Sequence, residues 1–222
     1  DGIIAVGRFF SAELEKMKQL GIQVLFVDSN PDPHEFNSIQ PNLQMMVETA
    51  IEYFVQAGYQ KIGFIGGRSW DSTEGRNVLR DTRTRCFESR ARELGLFNQN
   101  YVFIGDNFSV DSGYQVGREI VGKIRDDLPQ AFLVASDPLA VGVLQAFNEN
   151  KLTVPEDVSM ISINDIDIAK YVSPPLTTFR IDTEELGKVA IETLRNLIVS
   201  PKKSKRMILL DADLVFRKSF SI

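Results

Sequence analysis

The chain has 222 residues, 43% of them hydrophobic and 25% charged, an ordinary globular balance that excludes disorder and fits one large domain or two smaller lobes. Thirty acidic against 25 basic residues give a net charge of -5, so this chain by itself lacks the basic footprint of a nucleic-acid binder. One Cys (Cys86) and one His (His34) exclude a disulfide framework and any site that needs two imidazoles, and no apolar run reaches the ~18 uncharged residues of a membrane span.

In chain order, Ile3 to Val6 closed by Gly7 reads as a parallel strand buried on both faces. A helix capped by Ser11 follows, with Glu13 and Glu15 in its first turn, Leu14 and Met17 inward and Gly21 as its stop. Val24 to Val27 is the next strand, and Pro31-Asp32-Pro33-His34-Glu35 is an exposed turn. Leu43, Met46, Val47, Ala50 and Phe54 recur at helical spacing up to Gly58, and Lys61 to Ile65 is again a buried strand. Helices are predicted over Arg83 to Leu94, over Ser112 to Ile124 and from Pro138; strands over Ala131 to Ala135 and Val158 to Ile163. Asp182 and Glu185 form a capping box ahead of the stripe Leu186, Val189, Ala190, Thr193, Leu194, Leu197 and Ile198. The end differs, with Met207 to Leu210 and Leu214 to Phe216 read as a closing hairpin or edge element. Alternating strands and helices imply right-handed crossovers in doubly wound parallel sheets. The start at Asp1, without Met and straight into an apolar run, implies a chain that begins partway through a longer protein.

Ligands of such sheets sit beyond the carboxyl ends of the strands. Four polar strand ends stand out. Ala135-Ser136-Asp137-Pro138 reads as an N-cap with Pro at the first helical position, and Ser136 is small enough to admit a ligand. Asn164 and Asp165 close an apolar strand, either as turn residues or as partners of hydroxyl groups. Arg83 extends the inward stripe of Phe87, Ala91 and Leu94 at the positive end of its helix; a sugar diol or an ion pair with Asp81 or Asp137 would compensate it. Phe108, in Asp106-Asn107-Phe108-Ser109, can stack on a pyranose or serve as a satellite of the core. Trp70 lies past Gly66-Gly67, at a pocket mouth or in a flap. Gly63, Gly66 and Gly67 fit no dinucleotide or phosphate-loop pattern, Cys86 reads as inert packing, and Lys202, Lys203, Lys205 and Arg206 as a solvated turn. No catalytic residue, metal or cofactor is expected.

Val154-Pro155-Glu156-Asp157-Val158-Ser159-Met160-Ile161-Ser162-Ile163-Asn164-Asp165 followed by Pro174-Pro175-Leu176-Thr177-Thr178 resembles the signature of the lactose/galactose repressor family of bacterial transcription regulators. Ala135-Ser136-Asp137 with Ala140 and Gly142, the run Gly58 to Gly67, and Leu214-Val215-Phe216-Arg217-Lys218-Ser219 fit in the same order, so the match covers nearly the whole chain. The resemblance implies an α/β fold of two doubly wound parallel-sheet lobes, like periplasmic binding proteins, joined by three crossover segments. It assigns residues 1–59 and 178–199 to the N-terminal lobe, incomplete at its start, and 60–177 and 200–222 to the C-terminal lobe, with the DNA-binding helix-turn-helix outside this chain. It implies no enzyme but a cytoplasmic, homodimeric repressor core in which a sugar effector changes operator affinity allosterically. The alternative is a sugar-binding protein of a transporter. Arg83 matches the family's sugar-binding Arg, with Cys86 in place of a usual Gly; Phe108 matches its stacking aromatic, and Ser136 with Asp137 its pocket pair. Asn164 replaces a usual Asp beside Asp165, which points to galactose or a galactoside.

Overall fold

The computed structural model describes residues 1–7, 9–71, 76–78, 81–201 and 204–220, at 69–71 and 76–78 by their backbone alone. The chain forms two compact units: Asp1–Asn42, Trp70–Val78 and Asp182–Ala212 in the first; Leu43–Ser69, Leu79–Ile181 and Asp213–Ile222 in the second. This division differs from the sequence expectation. Residues 43–59 and 178–181 lie in the second unit and residues 200–212 in the first, and beyond the three expected crossings Trp70–Val78 makes an excursion into the first unit.

The first unit is built on strands β1 (Gly2–Val6), β2 (Gln23–Val27) and β3 (Asn37–Pro41), with a fourth strand that arrives late in the chain. All pairings of this four-stranded sheet are parallel. Alternation along β1 sends Ala5 into a cluster with Leu14, Val24, Phe26 and Phe36 beneath helix α1 (Ser11–Gln19), with Ile3, Phe9 and Met17 packed against it. Phe26 meets Phe36 edge-on at 4.8 Å between centroids. Phe10, not Ser11, is the N-cap of α1, and Glu13 reaches back to accept its N–H at 2.7 Å. Gly21 ends the helix at φ 65° as expected.

The second unit carries helix α2 (Leu43–Gln56), strand β4 (Ile62–Gly67), helix α3 (Thr82–Glu93) and strand β7 (Val102–Gly105); between β4 and α3 the short strands β5 (Ser69–Asp71) and β6 (Arg76–Val78) form a two-stranded sheet that from Trp70 on belongs to the first unit. The second unit continues through α4 (Val110–Ile124), β8 (Ala131–Val134), α5 (Asp137–Glu149), β9 (Ser159–Asn164) and β10 (Thr177–Arg180). Helix α6 (Thr183–Val199) returns to the first unit and packs on β1 and β2, where a side chain on Gly2 would meet Leu194 and Ile198. Asp182 caps α6 by accepting the Glu185 N–H at 2.9 Å, which is the Asp182 half of the expected capping box.

The last two strands do not form a hairpin. β11 (Met207–Leu210) pairs in parallel with β3, whereas β12 (Asp213–Val215) pairs antiparallel with β10 in the other unit. Both are edge strands. The sheet of the second unit thus has the order β12-β10-β9-β8-β4-β7. Its parallel part is the doubly wound order 2-1-3-4-5, which places a topological switch point between the carboxyl ends of β4 and β8. Paired helices cover the sheet, α2 with α3 and α4 with α5. Phe64 and Phe87 stack at 5.1 Å beneath α3. Helices α4 and α5 approach at glycines, since a Cβ on Gly142 would strike the backbone of Val110 and Tyr114, and one on Gly113 that of Leu139. Among the described residues no helix is long and apolar enough to cross a membrane.

Candidate functional site

Four strand ends of the second unit's sheet carry the candidate residues. Arg83 follows β4 at the start of α3, Phe108 follows β7, Ser136 and Asp137 follow β8, and Asn164 and Asp165 follow β9. Arg83 spans the switch point, since Nη1 donates to the carbonyl of Ala135 at the end of β8 at 2.8 Å. Its cost at a helix N-terminus is offset by Asp81, whose Oδ2 accepts from Nε at 2.8 Å and from Nη2 at 2.5 Å. The other oxygen of Asp81 caps α3 by accepting from the N–H and hydroxyl of Thr84. The structure therefore selects Asp81, not Asp137, as the ion-pair partner. The guanidinium also lies over the Phe108 ring, 4.4 Å from its centroid, in cation–π contact.

Phe108 is half-buried on a loop held by its own turns: Asn107 accepts the Ser109 N–H, and Ser109 caps α4 through the Ser112 N–H. That loop rests on Gly67, where a Cβ would stand 2.5 Å from the carbonyl oxygen of Asn107. Glycine is required there for the approach of a backbone, not of a nucleotide.

At the end of β8 the N-cap position lies one residue earlier than the sequence suggests. Ser136, not Asp137, is the N-cap position of α5; its hydroxyl is buried and has no hydrogen-bond partner among the described residues. Asp137 occupies the first helical position and is fully buried. Its Oδ1 accepts from the hydroxyls of Ser162 (2.5 Å) and Thr178 (2.7 Å), and its Oδ2 from the Ile166 N–H (2.8 Å). Burial pushes its carboxyl above the ordinary 3.8, and the three donated hydrogen bonds pull it back. The carboxylate is thus consumed in tying β8 to β9, β10 and the turn after β9.

Asn164 and Asp165 form that turn with φ 122° and 54°. Such conformations cost a non-glycine residue about 1–3 kcal/mol each, so the surroundings must hold them. The Asn164 side chain is partly exposed and makes no hydrogen bond among the described residues, whereas the Asp165 side chain is only 2% exposed and paired with Arg180 and Arg217. Arg83, Phe108 and Asn164 therefore keep surface at these strand ends, and the Ser136 hydroxyl is buried beside them. Asp137 and Asp165 lie behind them. Trp70 belongs to β5, and its side chain falls outside the described residues.

Sequence reasoning missed the groups that support the site: Ser162 and Thr178 on Asp137, and Arg180 and Arg217 on Asp165. Two adjacent threonines at 177–178, polar and fully buried, were the available signal. Cys86 is half-buried, and burial raises its thiol. His34 is exposed in an Asp32-capped turn. Among the described residues no three His, Cys, Asp or Glu side chains converge as metal ligands. Lys205 and Arg206 are exposed; Lys202 and Lys203 lie outside the described residues.

Comparison with known proteins agrees with this architecture. The family profile described as a periplasmic binding protein-like domain matches residues 51–220. The HTH-type transcriptional regulator GanR of Bacillus subtilis (strain 168) is 39% identical over 221 residues, which are 100% of this chain and 67% of the relative. The HTH-type transcriptional regulator LacR of Lactobacillus helveticus is 41% identical over 221 residues, 99% of this chain and 65% of the relative. The chain thus spans about two thirds of their length. Among solved structures, the LacI family transcriptional regulator CCPA of Weissella paramesenteroides, with bound sucrose, superposes with a TM-score of 0.81 at 20% identity, over 98% of this chain and 77% of that one. At that identity the likeness is one of fold.

Proposed function

Since the chain belongs to the lactose/galactose repressor family of bacterial regulators, we propose that it is the effector-binding core of a transcriptional repressor and takes a sugar at the switch point of its second unit. The observation that carries this reading is the arrangement at β4 and β8. A fixed guanidinium (Arg83) lies over an aromatic ring (Phe108), and a buried hydroxyl without a partner among the described residues (Ser136) follows the strand end that Arg83 bonds. A planar fork of donors suits vicinal hydroxyls, an aromatic face suits the C–H face of a pyranose, and the orphan hydroxyl of Ser136 gains a partner once the strand end opens to a polar ligand. Asn164, both donor and acceptor, suits a neutral sugar such as galactose or a β-galactoside.

The sugar acts by binding two conformations of the core unequally, because a ligand indifferent to them shifts nothing. That difference is read as operator affinity through a DNA-binding domain outside this chain, in a cytoplasmic homodimer. The relatives' names are those of regulators, which favours this reading over a transporter's sugar-binding protein. Isothermal titration with galactose, lactose, other β-galactosides, glucose and ribose tests it. Arg83→Ala and Asn164→Ala are each expected to weaken the preferred sugar by tenfold or more, corresponding to ~1.4 kcal/mol or above. Unchanged affinity in both variants would remove the site assignment.

A further inference from the structure

Among the described residues, Asn164 and Asp165 are the one pair of consecutive non-glycine positions with positive φ, at 122° and 54°. Several contacts fix this turn. One oxygen of the Asp165 carboxylate receives Nε of Arg180 at 2.7 Å and the other Nη2 of Arg217 at 2.6 Å. The Asp165 N–H donates to Thr178 Oγ1 at 3.3 Å, and the next N–H, of Ile166, donates to Asp137 at 2.8 Å. Arg217 is itself held, with Nη1 donating to the carbonyl of Leu176 at 2.8 Å and its N–H to Thr177 Oγ1 at 2.9 Å. With an arginine on each oxygen and 2% exposure, Asp165 has no surface left for a sugar.

We propose that Asp165 is a positioning residue rather than a sugar contact: its clamped carboxylate holds Asn164 in the left-handed conformation that presents the amide to the ligand. The same clamp ties this turn to β10 and to the residue pair after β12. Strand β10 ends two residues before Asp182, where the chain leaves the second unit, and β12 begins at Asp213, where it returns. A change at Asn164 is therefore one ion pair away from β10 and from the segment that follows β12. The proposal rests on the sugar reading above for its ligand half; its conformational half stands without it.

The experiment has two arms. In hydrogen–deuterium exchange of the ligand-free protein, Asp165→Asn is expected to speed exchange tenfold or more in residues 164–168, 177–181 and 213–218 together, while residues 131–134 of β8 keep their rate. Arg180→Met, a milder change at an exposed partner, should give the same pattern at smaller amplitude. An unchanged turn, or a uniform rise that includes β8, would overturn the clamp. In the second arm, galactoside affinity is measured for Asn164→Ala, Asp165→Asn and the double variant. The expected result is a tenfold or greater loss in Asp165→Asn and a double variant no weaker than Asn164→Ala alone. Additive losses, the mark of an independent sugar contact, would overturn the proposal, as would full affinity in Asp165→Asn. If the unaltered protein binds no sugar, the functional reading fails while the exchange arm still decides the clamp.

Discussion

Asp137 shows at the residue scale how a polar group at the carboxyl end of a strand can belong to the scaffold. Its sequence context, Ser-Asp-Pro before an apolar helix, is that of a cap, yet the carboxylate turns inward onto Ser162, Thr178 and the Ile166 N–H. A carboxyl raised by burial binds more protons in the folded than in the unfolded chain above its ordinary value of 3.8. Its contribution to stability is therefore complete below that pH and declines as pH rises through the folded-state value. Asp137→Asn abolishes the decline but turns an NH₂ or a lone acceptor toward three donors, a loss of about 1–3 kcal/mol. Urea titrations should find the variant less stable at about pH 4, with the gap narrowing as pH rises. A gap that widens with pH would contradict this assignment. At Arg83 the residue types restricted the partner to Asp81 or Asp137, and only the fold, which turns Asp137 away, decided for Asp81.

At the scale of elements, the junction of α4 and α5 positions the Ser136 end of β8 and the Phe108 loop together. Both helices use glycine where their backbones touch, and Gly142 would direct a Cβ at the Val110 carbonyl and the Tyr114 N–H. Gly142→Ala must therefore part the helices, a destabilisation of about 1–3 kcal/mol or more. Gly122, within α4, meets nothing within 4 Å. There Gly122→Ala should stabilise the protein by ~0.4–1 kcal/mol, because it restricts only the unfolded chain. Thermal or urea unfolding of the two variants, with opposite signs expected, separates backbone contact from helix propensity. The elements legible in the sequence were those with strong periodicity, such as α2, α6 and β8. Strand β3 was not, because Asn-Ser-Ile-Gln-Pro has none of the usual strand composition. It forms because β2 and β11 supply ladders on both sides, and because Asn37 accepts the Arg206 N–H from 169 residues away.

For the whole molecule, ligand binding and stability are linked through mass action. A sugar at one hundred times its Kd should add about 2.7 kcal/mol to the stability of the folded state. The midpoint of thermal unfolding should rise with galactosides, and a tenfold weaker Arg83→Ala should gain only about 1.4 kcal/mol at the same concentration. A rise of equal size in that variant would place the sugar elsewhere. The proposed homodimer is checked by sedimentation equilibrium of the full-length protein, with a dimer expected at micromolar concentration; a monomer there would remove that part of the reading.

The sequence by itself determined the alternation of strands and helices, the strand ends where polar side chains gather and the family resemblance, because hydrophobic period, caps and motif order are local properties of the chain. Tertiary structure alone decided which of those polar groups keep surface at the strand ends and which turn inward. It also sent β11 and β12, neighbours in sequence, to separate sheets. The physical reason is the same in each case: a carboxylate or a strand edge is satisfied by whatever donor the fold brings to it, and Arg180, Arg217, Thr178 and β3 reach their partners only across long stretches of chain.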